Sequence, residues 1–495
     1  MSKMTDFERL RARFREISAL GQAAGLLGWD QEAMMPAKGM SARAEQLSAL
    51  EGVIHQKLTD AEVGEWLAAI TPAELDPVDA VDLRLMAERH TRATALPARL
   101  VEETARLTAQ SVSVWAAARE TSDVKAFLPT LQRMVELKRE AAACLSSEGP
   151  AYDTLLEEYE PGMTSAELDR VFGALRPGLV ALRAHIAEHP RDVPEPRGSF
   201  PRAAQIEVSR KLATLFGYDW EAGRLDFAVH PFSSGGRGDA RITTRVDEAN
   251  PFDCLYSTIH EVGHAVYSQN LAPDLAFRPV GEDAGMGVHE SQSRSFENQI
   301  GRSRAFAEVL FPLMREAFGA FGAETPEALY AMLNRVGPGF IRTEADEVHY
   351  NLHVMLRFDL ERALIAGDLA VGDLEAAWND RFRADFGVEV PDARRGVLQD
   401  VHWAHGLFGY FPTYALGNIY AGELVAQLRR DRPGLDAEVA RGDLSGMVAW
   451  MREHVHRHAR TQMPQELIAA ATGHAPTPAP FLDYLTAKFT ALYPA

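Results

Sequence analysis

The residues best placed to do chemistry stand in Thr258-Ile259-His260-Glu261-Val262-Gly263-His264-Ala265-Val266, which carries the pattern H-E-x-x-H. On a helix, side chains four apart share a face, so the His260 and His264 imidazoles can share one metal ion. Neutral imidazoles suit Zn²⁺, which lowers the pKa of a coordinated water to about 7 and provides hydroxide near neutral pH. Glu261 follows about 100° further round the helix, off the imidazole face yet near such a water. There it can take a proton and pass it to a leaving amine. The alternative is a core helix with two incidental histidines; a third ligand decides between them.

The flanks supply the helix. Asn250-Pro251-Phe252-Asp253 reads as N-cap, proline at the first helical position and an acid in the first turn. Leu255, Ile259, Val262 and Val266 follow at helical spacing, and Asn270 with Pro273 supplies the stop. A third ligand is sought C-terminal to this helix. Val288-His289-Glu290-Ser291-Gln292-Ser293-Arg294 opens a second helix ending at Gly301, on which Glu290, Arg294 and Glu297 share a face. So polar a helix is either solvated or turned toward a metal site, with Glu290 as ligand and hydrogen-bonding neighbours around it. The second reading explains the composition better. The pairs His349/His353 and His402/His405 and the group His454/His456/His458 lack a water-activating acid at the right offset. They are assigned to surface or supporting roles, His402 excepted.

Composition narrows the classes. A chain of 495 residues with 46% apolar content can bury a large core. The length alone suggests about three domains at roughly 150 residues each. No apolar run approaches the ~20 residues of a membrane span. Met1 to Arg15 is dense in charge without the apolar core of a signal peptide, so a cytoplasmic protein is expected. Two cysteines, Cys144 and Cys254, make no disulfide framework, which agrees with a reducing compartment. A formal charge of −19 argues against general nucleic-acid binding.

Along the chain, Phe7, Leu10, Phe14, Ile17, Leu20, Ala24 and Leu27 mark an amphipathic helix that Pro36 ends, and residues 41–148 read as several long helices. A turn is expected from Tyr152 to Gly162, with Ser165 capping the next helix, then a proline-rich connection from His189 to Pro201 and a helix near 202–217. Residues 225–230 and 241–246 read as two strands of a hairpin beside the H-E-x-x-H helix. The stretch Ser233-Ser234-Gly235-Gly236-Arg237-Gly238 between them lacks the ending of a phosphate loop and reads as a tight turn. Helical patterns resume from residue 304 with short Gly/Pro interruptions, and no internal repeat or linker divides the chain. One mostly helical domain over 1–495, in two lobes, fits better than three separate domains.

Six ordered motifs then give the chain a family resemblance. They are His230-Pro231-Phe232; Asp239-Ala240-Arg241-Ile242-Thr243; His260 to His264; His289-Glu290-Ser291-Gln292; Ile341-Arg342-Thr343-Glu344-Ala345-Asp346-Glu347; and Gly396-Val397-Leu398-Gln399-Asp400-Val401-His402-Trp403. Together they resemble the carboxypeptidase Taq family of metallocarboxypeptidases, peptidase family M32, nearly end to end. The resemblance implies a mainly α, zincin-like fold of two lobes around a deep substrate groove, with a small β-sheet near the metal, and a homodimer. It implies that His260, His264 and Glu290 bind Zn²⁺, with Co²⁺ as a substitute, and that Glu261 is the base. The activity implied is removal of single C-terminal residues with broad tolerance and poor cleavage at proline, from peptides with a free C-terminus.

Two classes stay open: a metallopeptidase, exo- or endo-acting, and an idle groove protein that binds peptides or stores metal. Intact Glu261 favours the first, since a metal store needs no base. A carboxypeptidase also needs a cation for the terminal carboxylate. Arg342 is the first choice and Arg241 the second, with a structural ion pair as the alternative for either. His230 joins them as a substrate-binding residue. His402, Tyr410 and Tyr414 are candidates to stabilise the oxyanion, with aromatic packing the alternative for the tyrosines. Thr343 is expected to cap the helix that follows Arg342.

Overall fold

The computed structural model describes residues 4–146, 148–337 and 339–495. Four helices open the chain: Asp6–Ala33, Met40–Thr59, Ala61–Ala69 and Pro77–Ala95. The first is closed by a capping box in which Thr5 and Glu8 each satisfy the other's backbone N–H. These helices gather a small apolar core of their own around Phe7, Leu10, Phe14, Ile17, Val63, Leu83 and Met86. Helices Ala98–Thr121 and Val124–Leu145 then pack side by side, joined through Ser122-Asp123.

The centre of the molecule is a group of helices buried on nearly every face. The H-E-x-x-H helix is Pro251–Gln269, capped by Asn250, whose side chain accepts from the Phe252 N–H, with Pro251 in its first turn. Around it lie Met286–Arg294, Glu347–Ala366 and Pro412–Asp431. A helix that buries its whole circumference cannot be amphipathic, and the polar residues these carry must pair with one another. Met286–Arg294 bears this out: Ser291, Gln292 and Ser293 are fully buried. It continues as a wide π turn, Ser295–Ile300, up to Gly301.

The sheet has three strands: β1 (Leu225–Phe227), β2 (Ser233–Gly236) and β3 (Asp239–Thr244), in the order β1-β3-β2. Here the structure corrects the expected hairpin. Residues 225–227 run parallel to β3, pairing Leu225 with Ile242 and Phe227 with Thr244. The true hairpin is β2 with β3, Ser233 opposite Ile242 and Gly236 opposite Asp239, around Arg237-Gly238. The first strand stops at Phe227, and Pro231, with no N–H to donate, lies in the connection between it and β2. The glycine-rich stretch is therefore mostly strand, and β3 packs directly on the H-E-x-x-H helix.

Two caps are also corrected. Thr164, not Ser165, caps helix Ser165–Glu188. Asp346, not Thr343, caps Glu347–Ala366, accepting from the Val348 and His349 N–H groups, while Arg342–Glu344 forms a single 3₁₀ turn. A carboxylate at that position outcompetes a hydroxyl three residues earlier because it faces the helix end directly. The expected turn from Tyr152 begins as a short helix, Ala151–Leu156. The His189–Pro201 connection carries neither helix nor strand. With 69% of residues helical and one small sheet, the mainly α class stands. Among the described residues, no helix is long and apolar enough to cross a membrane.

Candidate metal centre and active site

His260 and His264 meet edge to face with ring centroids 4.9 Å apart, and their Nε2 atoms stand 3.2 Å from each other. Glu290 enters from the neighbouring helix, with Oε2 at 3.6 Å from His260 Nε2 and 3.4 Å from His264 Nε2. Ligands around a tetrahedral ion with bonds of about 2.0–2.1 Å lie roughly 3.3 Å apart, so this triangle fits a zinc-type ion and leaves a fourth position open. Among the described residues it is the one group of three such donors close enough to share an ion.

Close helix packing sets the triangle. A Cβ at Gly263 would stand 2.5 Å from the Ser293 Cα, and one at Gly417 would stand 2.4 Å from the Glu290 Cγ. Only hydrogen at these two positions lets the three helices approach this closely.

The donors are oriented from behind. His260 Nδ1 is 2.8 Å from Glu297 Oε2, and His264 Nδ1 is 2.6 Å from His289 Nδ1. With both Nε2 atoms turned to the shared site, each Nδ1 carries the proton and donates it. Arg294 joins ligand and support, donating to Glu290 Oε1 at 2.6 Å and to Glu297 Oε2 at 3.3 Å. Ser293 Oγ donates to Glu290 Oε2 at 3.0 Å, and Arg302 reaches Glu297.

Charge follows from this enclosure. Burial acts to raise the Glu290 carboxyl, but Arg294 and the two histidines outweigh it and hold it well below the usual range. Burial likewise opposes ionisation of Glu297, yet Arg294 and His260 bring it down to about 2. Burial acts to lower His260, but Glu290 and Glu297 hold it up at about 9. His264, where burial dominates, falls to about 4. Glu261 is pushed up to about 7 by burial, and its carboxyl makes no side-chain hydrogen bond among the described residues.

The remaining candidates divide. His402, Tyr410 and Tyr414 are brought together: His402 Nε2 lies 3.2 Å from the Tyr414 hydroxyl, and the Tyr410 ring is 5.3 Å from that of Tyr414. Burial lowers His402 to about 3 and raises Tyr410 to about 12, so both are neutral. Arg342 is buried and forks onto Asp400, with Nη2 to Oδ1 at 2.8 Å, and its Nη1 donates to the Tyr350 hydroxyl at 3.1 Å. Arg294 covers the same Tyr350 ring at 4.4 Å, so one aromatic ring separates Arg342 from the arginine that holds Glu290. Arg241 pairs with Asp239 at 2.7 and 2.8 Å and lies over Trp29 at 4.2 Å. Both arginines thus have the ion-pair partner that a structural role would require. His230 is exposed at the bend before β2. Its neighbour Phe232 is tied to β3, the Phe232 N–H donating to Thr243 Oγ1 at 2.8 Å.

Sequence reading did not find His289 as the partner of His264, nor Asp400, Gln399 and Tyr350 as the partners of Arg342. The glutamine and aspartate stand in a recognised motif, but nothing local tells which arginine they meet.

An H-E-x-x-H helix, a carboxylate from a following helix and a largely helical frame define a helical metallopeptidase. The chain belongs to the carboxypeptidase Taq (M32) metallopeptidase family, whose model matches residues 9–489. It is a metallocarboxypeptidase, a hydrolase of that family. It is 40% identical to thermostable carboxypeptidase 1 of Thermus thermophilus over the whole of both chains. It superimposes on the crystal structure of the M32 carboxypeptidase from Deinococcus radiodurans R1 with a TM-score of 0.94 at 38% identity, covering 99% of this chain and 100% of the other. For Trypanosoma cruzi metallocarboxypeptidase 1 the TM-score is 0.96 at 34% identity, with 99% of each chain covered.

Proposed function

We propose that the protein is a zinc-dependent carboxypeptidase that releases single residues from peptide C-termini, with broad side-chain tolerance and poor cleavage at proline. The observation that carries this is the donor triangle of His260, His264 and Glu290 with the buried Glu261 carboxyl beside it, which has no side-chain hydrogen bond among the described residues. The three donors hold the ion; Zn²⁺, or Co²⁺ in its place, supplies Lewis acidity and acidifies water. Glu261, buried beside the donor triangle, accepts the proton of the attacking water and delivers it to the leaving amine. His402, Tyr410 and Tyr414 face the developing oxyanion, the tyrosines as protonated donors. Arg342 anchors the terminal carboxylate, and Arg241 and His230, on the sheet side, contact the rest of the peptide.

In this reading residues 1–495 work as one domain, in a homodimer, in a cytoplasm that keeps Cys144 and Cys254 free. An endo-acting metallopeptidase is the alternative, and the products separate the two. Peptides prepared as free acids and as C-terminal amides are digested and followed by mass spectrometry. The free acids should lose one residue at a time. Amides should react roughly 10- to 150-fold more slowly, the equivalent of a charge-assisted hydrogen bond of about 1.5–3 kcal/mol. Internal cuts, or equal rates for acid and amide, mean an endopeptidase.

A further inference from the structure

The stretches Ile341–Glu347 and Gly396–Trp403 clasp each other at Arg342. Its backbone N–H donates to Gln399 Oε1 at 2.9 Å, and its side chain forks onto Asp400. Asp400 also holds a second guanidinium: Arg357 Nε donates to Oδ2 at 2.8 Å, with Nη2 2.5 Å from the same oxygen. Arg357 is completely buried, and its Nη1 donates to the His353 carbonyl at 2.8 Å. Two arginines on one carboxylate leave the cluster with one positive charge in excess.

Among the described residues, Asp400 is the one carboxylate within 4.0 Å of either guanidinium. The next acid that interacts with Arg357 among the described residues, Glu361 one turn on, is pushed up to about 7 by burial and so offsets that charge little below neutrality. Among the described residues, the other polar side chains against the pair are Gln399, which cannot ionise, and Tyr350, Tyr414, His353 and His402. Burial keeps His353 and His402 unprotonated and holds the Tyr414 hydroxyl on its proton. Burial and Arg342 together bring the Arg357 guanidinium down to about 10 against the pull of Asp400. At Arg342, burial is outweighed by Asp400, which holds the guanidinium well above the usual arginine range. The excess itself follows from two guanidiniums on one carboxylate. A buried charge without a counter-charge is costly, and a carboxylate entering beside it removes the cost. Arg342 has donors to spare: of its five N–H groups, three go to Asp400 and Tyr350.

We propose that Arg357, which cannot itself reach the substrate, is a positioning and specificity-determining residue whose charge makes the Arg342–Asp400 pair attract an anionic C-terminus. The inference rests on Arg342 as the carboxylate anchor. Without Arg357, Arg342 and Asp400 form a neutral pair with little pull on a second carboxylate.

The test compares KM and kcat for matched free-acid and amidated peptides on the metal-loaded wild type and on Arg342→Ala, Arg357→Met and Arg357→Lys. In Arg357→Met the KM for the free acid should rise about tenfold or more, while its kcat and the rates on the amide stay within about threefold. Arg357→Lys, which keeps the charge and loses the fork, should hold the acid-to-amide preference within about threefold of wild type. A preference kept in Arg357→Met but lost in Arg342→Ala overturns the inference and leaves the anchor standing. A preference unchanged in Arg342→Ala removes the anchor itself. Equal losses on acid and amide mark Arg357 as merely structural and overturn the inference. Should Arg357→Met not fold, Arg357→Lys decides alone: a preserved preference supports the charge, and a lost one overturns it.

Discussion

Glu297 touches no ion in the proposed centre, yet it fixes the ring of His260 through Nδ1 and is itself clamped by Arg294 and Arg302. Such carboxylates orient a ligand and raise its basicity, and their loss typically costs about 10–100-fold in metal affinity. Glu297→Ala should therefore weaken Zn²⁺ binding by that factor, measured by competition with a chromogenic chelator. Glu297→Gln, which keeps one acceptor oxygen, should lose less. Equal affinity in Glu297→Ala and wild type would detach Glu297 from the centre. At this scale the sequence was most readable where chemistry is local. The four-residue spacing in H-E-x-x-H and the shared face of Glu290, Arg294 and Glu297 follow from helix geometry alone. Arg342 shows the limit: its type suits a carboxylate, but its partner Asp400 lies 58 residues on, and only the fold brings them together.

Helices hold the donors in register through two points of contact without side chains. Gly417 lies against Glu290, and an added methyl would meet the Glu290 Cγ at 2.4 Å and its Cβ at 2.6 Å. Glu290 is confined on its other side by Arg294 and Ser293. Gly417→Ala should thus cost about 1–3 kcal/mol of stability by overpacking, despite the better helix propensity of alanine. It should also lower metal affinity by shifting Glu290. Urea unfolding of the metal-free protein measures the first effect, chelator competition the second; a variant more stable than wild type with unchanged affinity would contradict the packing. The start and end of the H-E-x-x-H helix were readable because Asn250, Pro251 and Asn270 act within a turn of themselves. The strand pairing was not. Alternation marks residues 225–230 as strand but carries no information on its partner or its end; the strand stops at Phe227 and runs parallel to β3, and the hairpin is β2 with β3.

Over the whole molecule, one large apolar core spans the chain from Ala118 to Tyr493, and the opening helices keep a smaller one of their own. Arg278 ties the two parts together, donating to Asp82 at 2.8 Å and to Asp79 at 2.5 Å. Composition foretold a large core and periodicity foretold helices, but neither says which buried acids cross-link distant segments. Glu361 is such an acid: fully buried, it accepts from the Tyr152 hydroxyl at 2.9 Å, Trp403 Nε1 at 2.8 Å and the Gly409 N–H at 3.1 Å. Burial pushes its carboxyl up from 4.5 to about 7 despite these donors. Between about pH 4.5 and 7 the folded chain therefore holds a proton at Glu361 that the unfolded chain has released. Unfolding free energy falls with rising pH wherever the native state binds more protons, so the contribution of Glu361 is full below its unfolded value and lost by about pH 7. At 1.36 kcal/mol per pKa unit the span is about 3 kcal/mol. Buried His264, His402 and His456, all lowered, act in the opposite direction over an overlapping range, so the total profile hides this contribution. The difference between Glu361→Gln and wild type exposes it, because glutamine keeps the acceptor oxygen and does not titrate. In urea titrations from pH 4.5 to 7.5, the variant should gain on wild type by up to about 3 kcal/mol as pH rises and stay level above pH 7. A difference independent of pH would mean that Glu361 is ionised throughout, held by its three donors rather than neutralised by burial.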